Sequence, residues 1–152
     1  MKKLFLPLAA VLCALLAASP AHSAAAPAAN PELVPDIVTT GFAAYSRSGY
    51  SLALDTWCKG SSLEVDGNAK VTIGKNLSDE ENFAGSFAGA ETIKVVGLSP
   101  SSTLVYTFAK YQKGGLYLCF ACVKSAGKWL VTSIVSNSDP AKVLPTNILS
   151  GQ

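Results

Sequence analysis

The chain contains a single histidine, His22, and only 14% of its 152 residues are charged. That histidine lies in a segment that reads as a removable leader. Lys2 and Lys3 precede an apolar run from Leu4 to Ala18, and Ala21 and Ser23 are small residues at the two positions a signal peptidase reads. Cleavage after Ser23, or a few residues later in Ala24-Ala25-Ala26, is expected to leave a protein with no imidazole. Histidine acid/base catalysis and histidine metal ligation are then closed to it. The apolar run is interrupted by Pro7 and is shorter than the roughly 18 to 20 residues a membrane helix needs, and no other segment comes close, so stable membrane insertion is not expected. Cys13 follows Leu12, where a lipobox wants a small residue. The expectation is export to the periplasm or the outside.

Basic charge is also sparse. Twelve basic and ten acidic residues become ten of each once Lys2 and Lys3 leave with the signal. The ten, from Arg47 to Lys142, are scattered singly, whereas nucleic-acid binding normally shows a basic stripe, so no nucleic-acid partner is expected. The chain has no internal repeat. The sequence divides into a signal (1–23), an Ala/Pro-rich flexible leader (24–30), one domain (31–145) and a short C-terminal tail (146–152). A domain of this length can bury an adequate single core.

Val34, Val38, Phe42 and Tyr45 recur at spacings of three and four, with Ile37 and Gly41 beside them, which predicts a helix closed by Gly49. Tyr50 to Lys59 predicts a second, shorter helix that carries Leu54, Trp57 and Cys58 on one face and stops at Gly60; the two form a hairpin. Residues 64–76 read both ways, because Val71-Thr72-Ile73 favours extended structure while Gly67 and Gly74 break either pattern. Ser78-Asp79-Glu80-Glu81 is a capping box, from which a third helix is expected to run to about Ala88 with Phe83 and Phe87 on one side.

After Ala90 the period changes to two. Thr92 to Leu98, Thr103 to Gln112, Leu116 to Lys124 and Trp129 to Ser136 are rich in β-branched and aromatic residues, and short turns separate them. Such connections allow only antiparallel neighbours. The fold class is therefore α+β, three N-terminal helices packed on a four-stranded antiparallel meander. Bulk assigns the faces. Leu104, Tyr106 and Phe108 of the second strand, and Leu116, Leu118, Phe120 and Cys122 of the third, are expected toward the helices. Val105, Thr107 and Ala109, Tyr117, Cys119, Ala121 and Val123, and Val131 and Val135 then form an outer face apolar enough to predict a symmetric homodimer.

In this arrangement Ala53-Leu54-Asp55-Thr56-Trp57 runs into Lys59-Gly60-Ser61, Lys113-Gly114-Gly115-Leu116 joins two strands, Gly127-Lys128-Trp129 opens the last one, and Asp139-Pro140 leads to Leu144-Pro145. With these motifs the chain resembles the small secreted bacterial members of the nuclear transport factor 2-like superfamily, over most of residues 31–145. The resemblance implies a curved sheet wrapped around the helices into a cone with a pocket at its open end, often dimerised through the outer sheet face. The superfamily includes ketosteroid isomerase and dehydratases beside members with no known reaction, so the fold does not assign a function. Isomerases of this type need a carboxylate base with a tyrosine or protonated acid, and dehydratases lean on histidine. Here the predicted strands carry only Glu91, at an edge. The pocket candidates are Tyr45, Asp55, Trp57 and Tyr106, each with a plainer reading: Asp55 as a solvated helix residue, the tyrosines and Trp57 as core aromatics.

Cys119 and Cys122, three apart on one strand, point to opposite faces about 10 Å apart, too far for a disulfide and unsuited to a zinc knuckle. No metal and no cofactor is expected. Among three mature cysteines in an oxidising compartment, parity brings Cys58 and Cys122 toward each other as the disulfide candidate. By loop entropy such a bridge would contribute roughly 4 kcal/mol. The alternative is three buried free thiols. Trp57, Trp129, Phe42, Phe83, Phe87, Phe108 and Phe120 are expected in the core. Two functions follow: an exported noncatalytic binding or assembly module, taking a small apolar ligand in the cone or offering a partner surface, and, as the rival, a small isomerase or hydratase.

Overall fold

The computed structural model describes residues 34–151. The signal and leader assigned to residues 1–30 lie outside them. The described chain is α+β: α1 (Asp36–Cys58) and α2 (Gly67–Ala84) are followed by β1 (Phe87–Ser99), β2 (Ser102–Tyr111), β3 (Gly115–Ser125) and β4 (Lys128–Asn137), with a four-residue α3 (Thr146–Leu149) near the end. The strands form one open antiparallel sheet in the order β1-β2-β3-β4, as the short turns require.

The expected hairpin is present as two arms of α1. Ser48 and Gly49 leave helical geometry, and Gly49 adopts φ 80° and ψ 179°, a region open essentially to glycine alone. Arms 36–47 and 50–58 then fold back on one another. The indole Nε1 of Trp57 donates to the carbonyl of Val38 at 3.1 Å. Gly41 makes that approach possible, since a Cβ there would stand 1.9 Å from Trp57 Nε1.

The third helix starts earlier than expected. Asp66, not Ser78, is its N-cap, its carboxylate accepting from the Ala69 amide at 2.9 Å, and the Ser78–Glu81 capping box lies inside the helix. The β-branched stretch at residues 71–73 is helical because Ile73 and Leu77 bury against the core, which outweighs a propensity difference of a few tenths of a kcal/mol. The helix ends at Ala84, so Phe83 is 86% exposed instead of buried, and Phe87 belongs to β1.

The face of β2 is the reverse of the bulk-based expectation. Thr103, Val105, Thr107, Ala109 and Tyr111 face the helices, whereas Leu104, Tyr106 and Phe108 lie on the outer face, Phe108 with its ring 4.8 Å from Tyr117. The reason is volume. Phe42, Trp57 and Phe120 already meet edge to face at centroid distances of 5.0 to 5.7 Å, and Val105 pairs in register with Phe120. Large residues on β2 as well would overfill that layer. β3 follows the expected parity, with Leu116, Leu118, Phe120 and Cys122 buried. On β4 the register with β3 shifts between Ala121↔Ser133 and Cys122↔Val131, leaving Thr132 as an extra residue. That bulge turns Val131 inward, fully buried, where simple alternation placed it outside. Trp129 is partly buried against the core. Among the described residues, no helix is long and apolar enough to cross a membrane.

Candidate functional site

The first arm of α1 crosses the inner side of β1 and leaves a cleft of about 260 Å³. Val34, just before α1, and Val38, Thr39, Phe42 and Ser46 on it line one side, Phe87 and Ala90 line it from β1, and Thr107 from β2 at the bottom. Phe42 and Phe87 form one apolar wall, their rings 7° from parallel with centroids 6.2 Å apart. Register shifts between Phe87 and Gly89 and between Thr92 and Lys94 bracket the segment that supplies Ala90, Glu91 and Thr92 to the opening. Bulges are a common way to re-aim strand residues beside a site. The carboxylate of Glu91 is exposed and taken by Lys110 at 2.6 Å.

Thr103 and Thr107 are the two polar side chains buried on the inner face of β2, each 1% exposed. They are treated differently. Thr103 Oγ1 donates to the carbonyl of Val96 across the β1 ladder at 3.1 Å, while Thr107 Oγ1 is, among the described residues, the one buried side-chain polar atom without a hydrogen-bond partner. Leaving a buried hydroxyl unpaired costs about 1 to 3 kcal/mol, so its position in the cleft calls for a ligand-side explanation.

The four residues picked from the sequence as pocket candidates do not converge. Tyr45 and Trp57 share the core beside the cleft without lining it. The Tyr45 hydroxyl meets that of Tyr111 at 3.0 Å, and the Phe87 ring stacks on Tyr45 at 4.1 Å. Burial raises the pKa of both tyrosines, that of Tyr111 to about 12, and the Glu81 carboxylate pushes each the same way. Asp55 sits on the far side of α1 in an exposed ion pair with Lys70 at 2.7 Å. Tyr106 is on the outer face of the sheet, with Cys119 opposite it. Thr107 itself carried no sequence signal, since a threonine in a strand reads simply as a β-former.

A larger groove of about 650 Å³ runs between the two arms of α1 and the start of β4, with Ile37, Leu52, Trp129 and Leu130 as its large apolar residues. Opposite charges, Asp36 and Asp55, Lys59 and Lys128, share its lining. It contains no buried unpartnered group, which is why the smaller cleft is the stronger site despite its size. No grouping of three or more His, Cys, Asp or Glu suited to a metal occurs among the described residues.

Cys58 and Cys122 are both fully buried, as parity places them, but they are free thiols; the expected bridge is not formed. Burial pushes the Cys122 thiol from an ordinary 9.0 up to about 12. The consequence is alkaline sensitivity. Below pH 9 the thiol is protonated folded and unfolded; from about 9 to 12 only the unfolded chain ionises, so stability falls, at about 1.4 kcal/mol per pH unit for this group. Urea unfolding at pH 8 to 11 is expected to show a steeper fall than that in the native sequence, because burial also raises the pKa of Cys58, Cys119, Tyr45 and Tyr111 and each adds a contribution of the same sign. Cys122→Ala lowers stability at pH 8 but flattens the slope, and an unchanged slope would assign it to other groups.

The fold and cleft thus define an α+β protein with an open four-stranded meander and a small recess under its first helix, in which an aromatic wall stands beside several hydroxyl side chains. Compared with known proteins, the chain matches no family model, no curated protein and no solved structure.

Proposed function

We propose that this protein is an exported, noncatalytic binding module of the bacterial envelope, a nuclear transport factor 2-like domain that holds a small apolar ligand between α1 and β1. The lining of the cleft carries this reading: Val34, Val38, Phe42, Phe87 and Ala90 cannot transfer protons, the hydroxyls of Thr39 and Ser46 donate to the carbonyls of Asp36 and Phe42 in their own helix, and the one carboxylate, Glu91, is exposed and paired with Lys110. An isomerase or hydratase would need its acid and base at the ligand. The Tyr45–Tyr111 pair is instead buried beneath Phe87 and absent from the lining. The outer face supports self-association as a second part of the role. Leu104, Phe108, Ala121 and Val123 are half-buried there and Val135 is 49% exposed, a contiguous apolar surface of the kind that marks an interface.

Native mass spectrometry of the full-length gene product recovered from its own envelope tests both parts together. The expected species is a dimer of chains cleaved near Ser23 that carries extra mass released on denaturation, and Ala121→Lys converts it to a monomer by placing like charges across the two-fold axis. A monomer with no retained mass would overturn the reading.

A further inference from the structure

We infer that the cleft selects a neutral, ring-sized ligand carrying one hydroxyl or carbonyl oxygen, and that Thr107 Oγ1 is the group that reads this oxygen. The inference rests on the proposed binding role and adds its chemistry. Four observations converge on it. Thr107 is 1% exposed and its hydroxyl has no partner, while Thr103, two alternations along the same strand, is satisfied by a β1 carbonyl. Thr107 pairs in register with Thr92 on β1 and Leu118 on β3, so its backbone is engaged in the sheet, and its side chain forms part of the cleft floor.

The space of about 260 Å³ is near the lower end of ligand pockets and equals the liquid volume of roughly nine waters. A dry cavity of roughly 150 Å³ accommodates benzene, so two fused rings match this one. Shape points the same way, because Phe42 and Phe87 offer nearly parallel rings as one wall. Phe42 is itself held edge-on by Trp57 and Phe120, which keeps that wall rigid. Charge selects against ions. The lining contains no lysine or arginine to receive an anion, and a cation would have to displace Lys110 from Glu91.

The test uses three matched probes, 2-naphthol, 2-methylnaphthalene and 2-naphthoate, titrated calorimetrically into the mature protein and into Thr107→Val and Thr107→Ser. In the native sequence 2-naphthol is expected to bind about tenfold tighter than 2-methylnaphthalene, the effect of one hydrogen bond to an otherwise unpaired group, and 2-naphthoate weakest of all. Thr107→Val abolishes the preference and Thr107→Ser retains it. Valine matches threonine in shape and removes an unsatisfied hydroxyl, so Thr107→Val without ligand melts a few degrees higher than the native sequence, which also shows it folded. A preference for 2-naphthol that survives Thr107→Val, tightest binding of 2-naphthoate, or a lower melting point for Thr107→Val would overturn the inference and leave the binding role standing. Failure of all three probes to bind would overturn both.

Discussion

Gly41→Ala is expected to destabilise the protein by about 3 kcal/mol, although a Gly-to-Ala change inside a helix ordinarily stabilises it by roughly 0.5 to 1 kcal/mol. The sign reverses because of what lies opposite. The added methyl would sit 1.9 Å from Nε1 and 2.2 Å from Cδ1 of Trp57, well inside contact distance, so the indole must move. Moving it breaks the hydrogen bond to the Val38 carbonyl and disturbs the edge-to-face contacts with Phe42 and Phe120. Guanidinium unfolding monitored by tryptophan fluorescence reads the loss. A second substitution identifies the cause: Trp57→Phe removes the clashing nitrogen, so Gly41→Ala is expected to cost at least 1 kcal/mol less in that background than in the native one. Equal costs in both backgrounds would show that the two arms of α1 do not meet through this pair.

Phe120→Ala is expected to cost about 4 kcal/mol, and Phe83→Ala less than about 0.5 kcal/mol. Both are phenylalanines in regular structure. Phe120 is fully buried between Phe42 and Trp57 and pairs in register with Val105 and Ile134, so truncation opens a cavity that the facing strands and helix are too well braced to close. Phe83 is 86% exposed at the last turn of α2 and loses almost nothing. Denaturation midpoints of the two variants, with unchanged slopes, provide the comparison. A cost at Phe83 approaching that at Phe120 would place its ring in the core, as the capping-box reading had it.

That pair also separates what a local sequence pattern fixes from what packing decides. A capping box is a local pattern, and Ser78 with Glu81 satisfies it, yet Asp66 caps the same helix twelve residues earlier and the box is absorbed into its interior. The competition between two valid caps is decided by Ile73 and Leu77, whose burial is fixed by the sheet and by α1. The same holds for β2. Alternation was legible, but which set faces inward was not, because the answer depends on Phe42, Trp57 and Phe120, the first of them more than sixty residues from Val105 in sequence. The candidate site suffered most from this. Thr107 became visible only when the face of β2 reversed, and Tyr106, its neighbour in sequence, left the inner side by the same step.

Local sequence determined the elements themselves: helical arms meeting at Gly49, four strands separated by turns too short for anything but an antiparallel meander, and Leu116, Leu118, Phe120 and Cys122 as the inward set of β3. These follow from backbone sterics and from periodicities that span only a few residues. Tertiary structure alone decided the inward face of β2, the turn of Val131 into the core by the β4 bulge, the exposure of Phe83, and the enclosure of one unpaired threonine hydroxyl beneath α1. Each of these is a question of volume, settled when side chains distant in sequence compete for the same interior space.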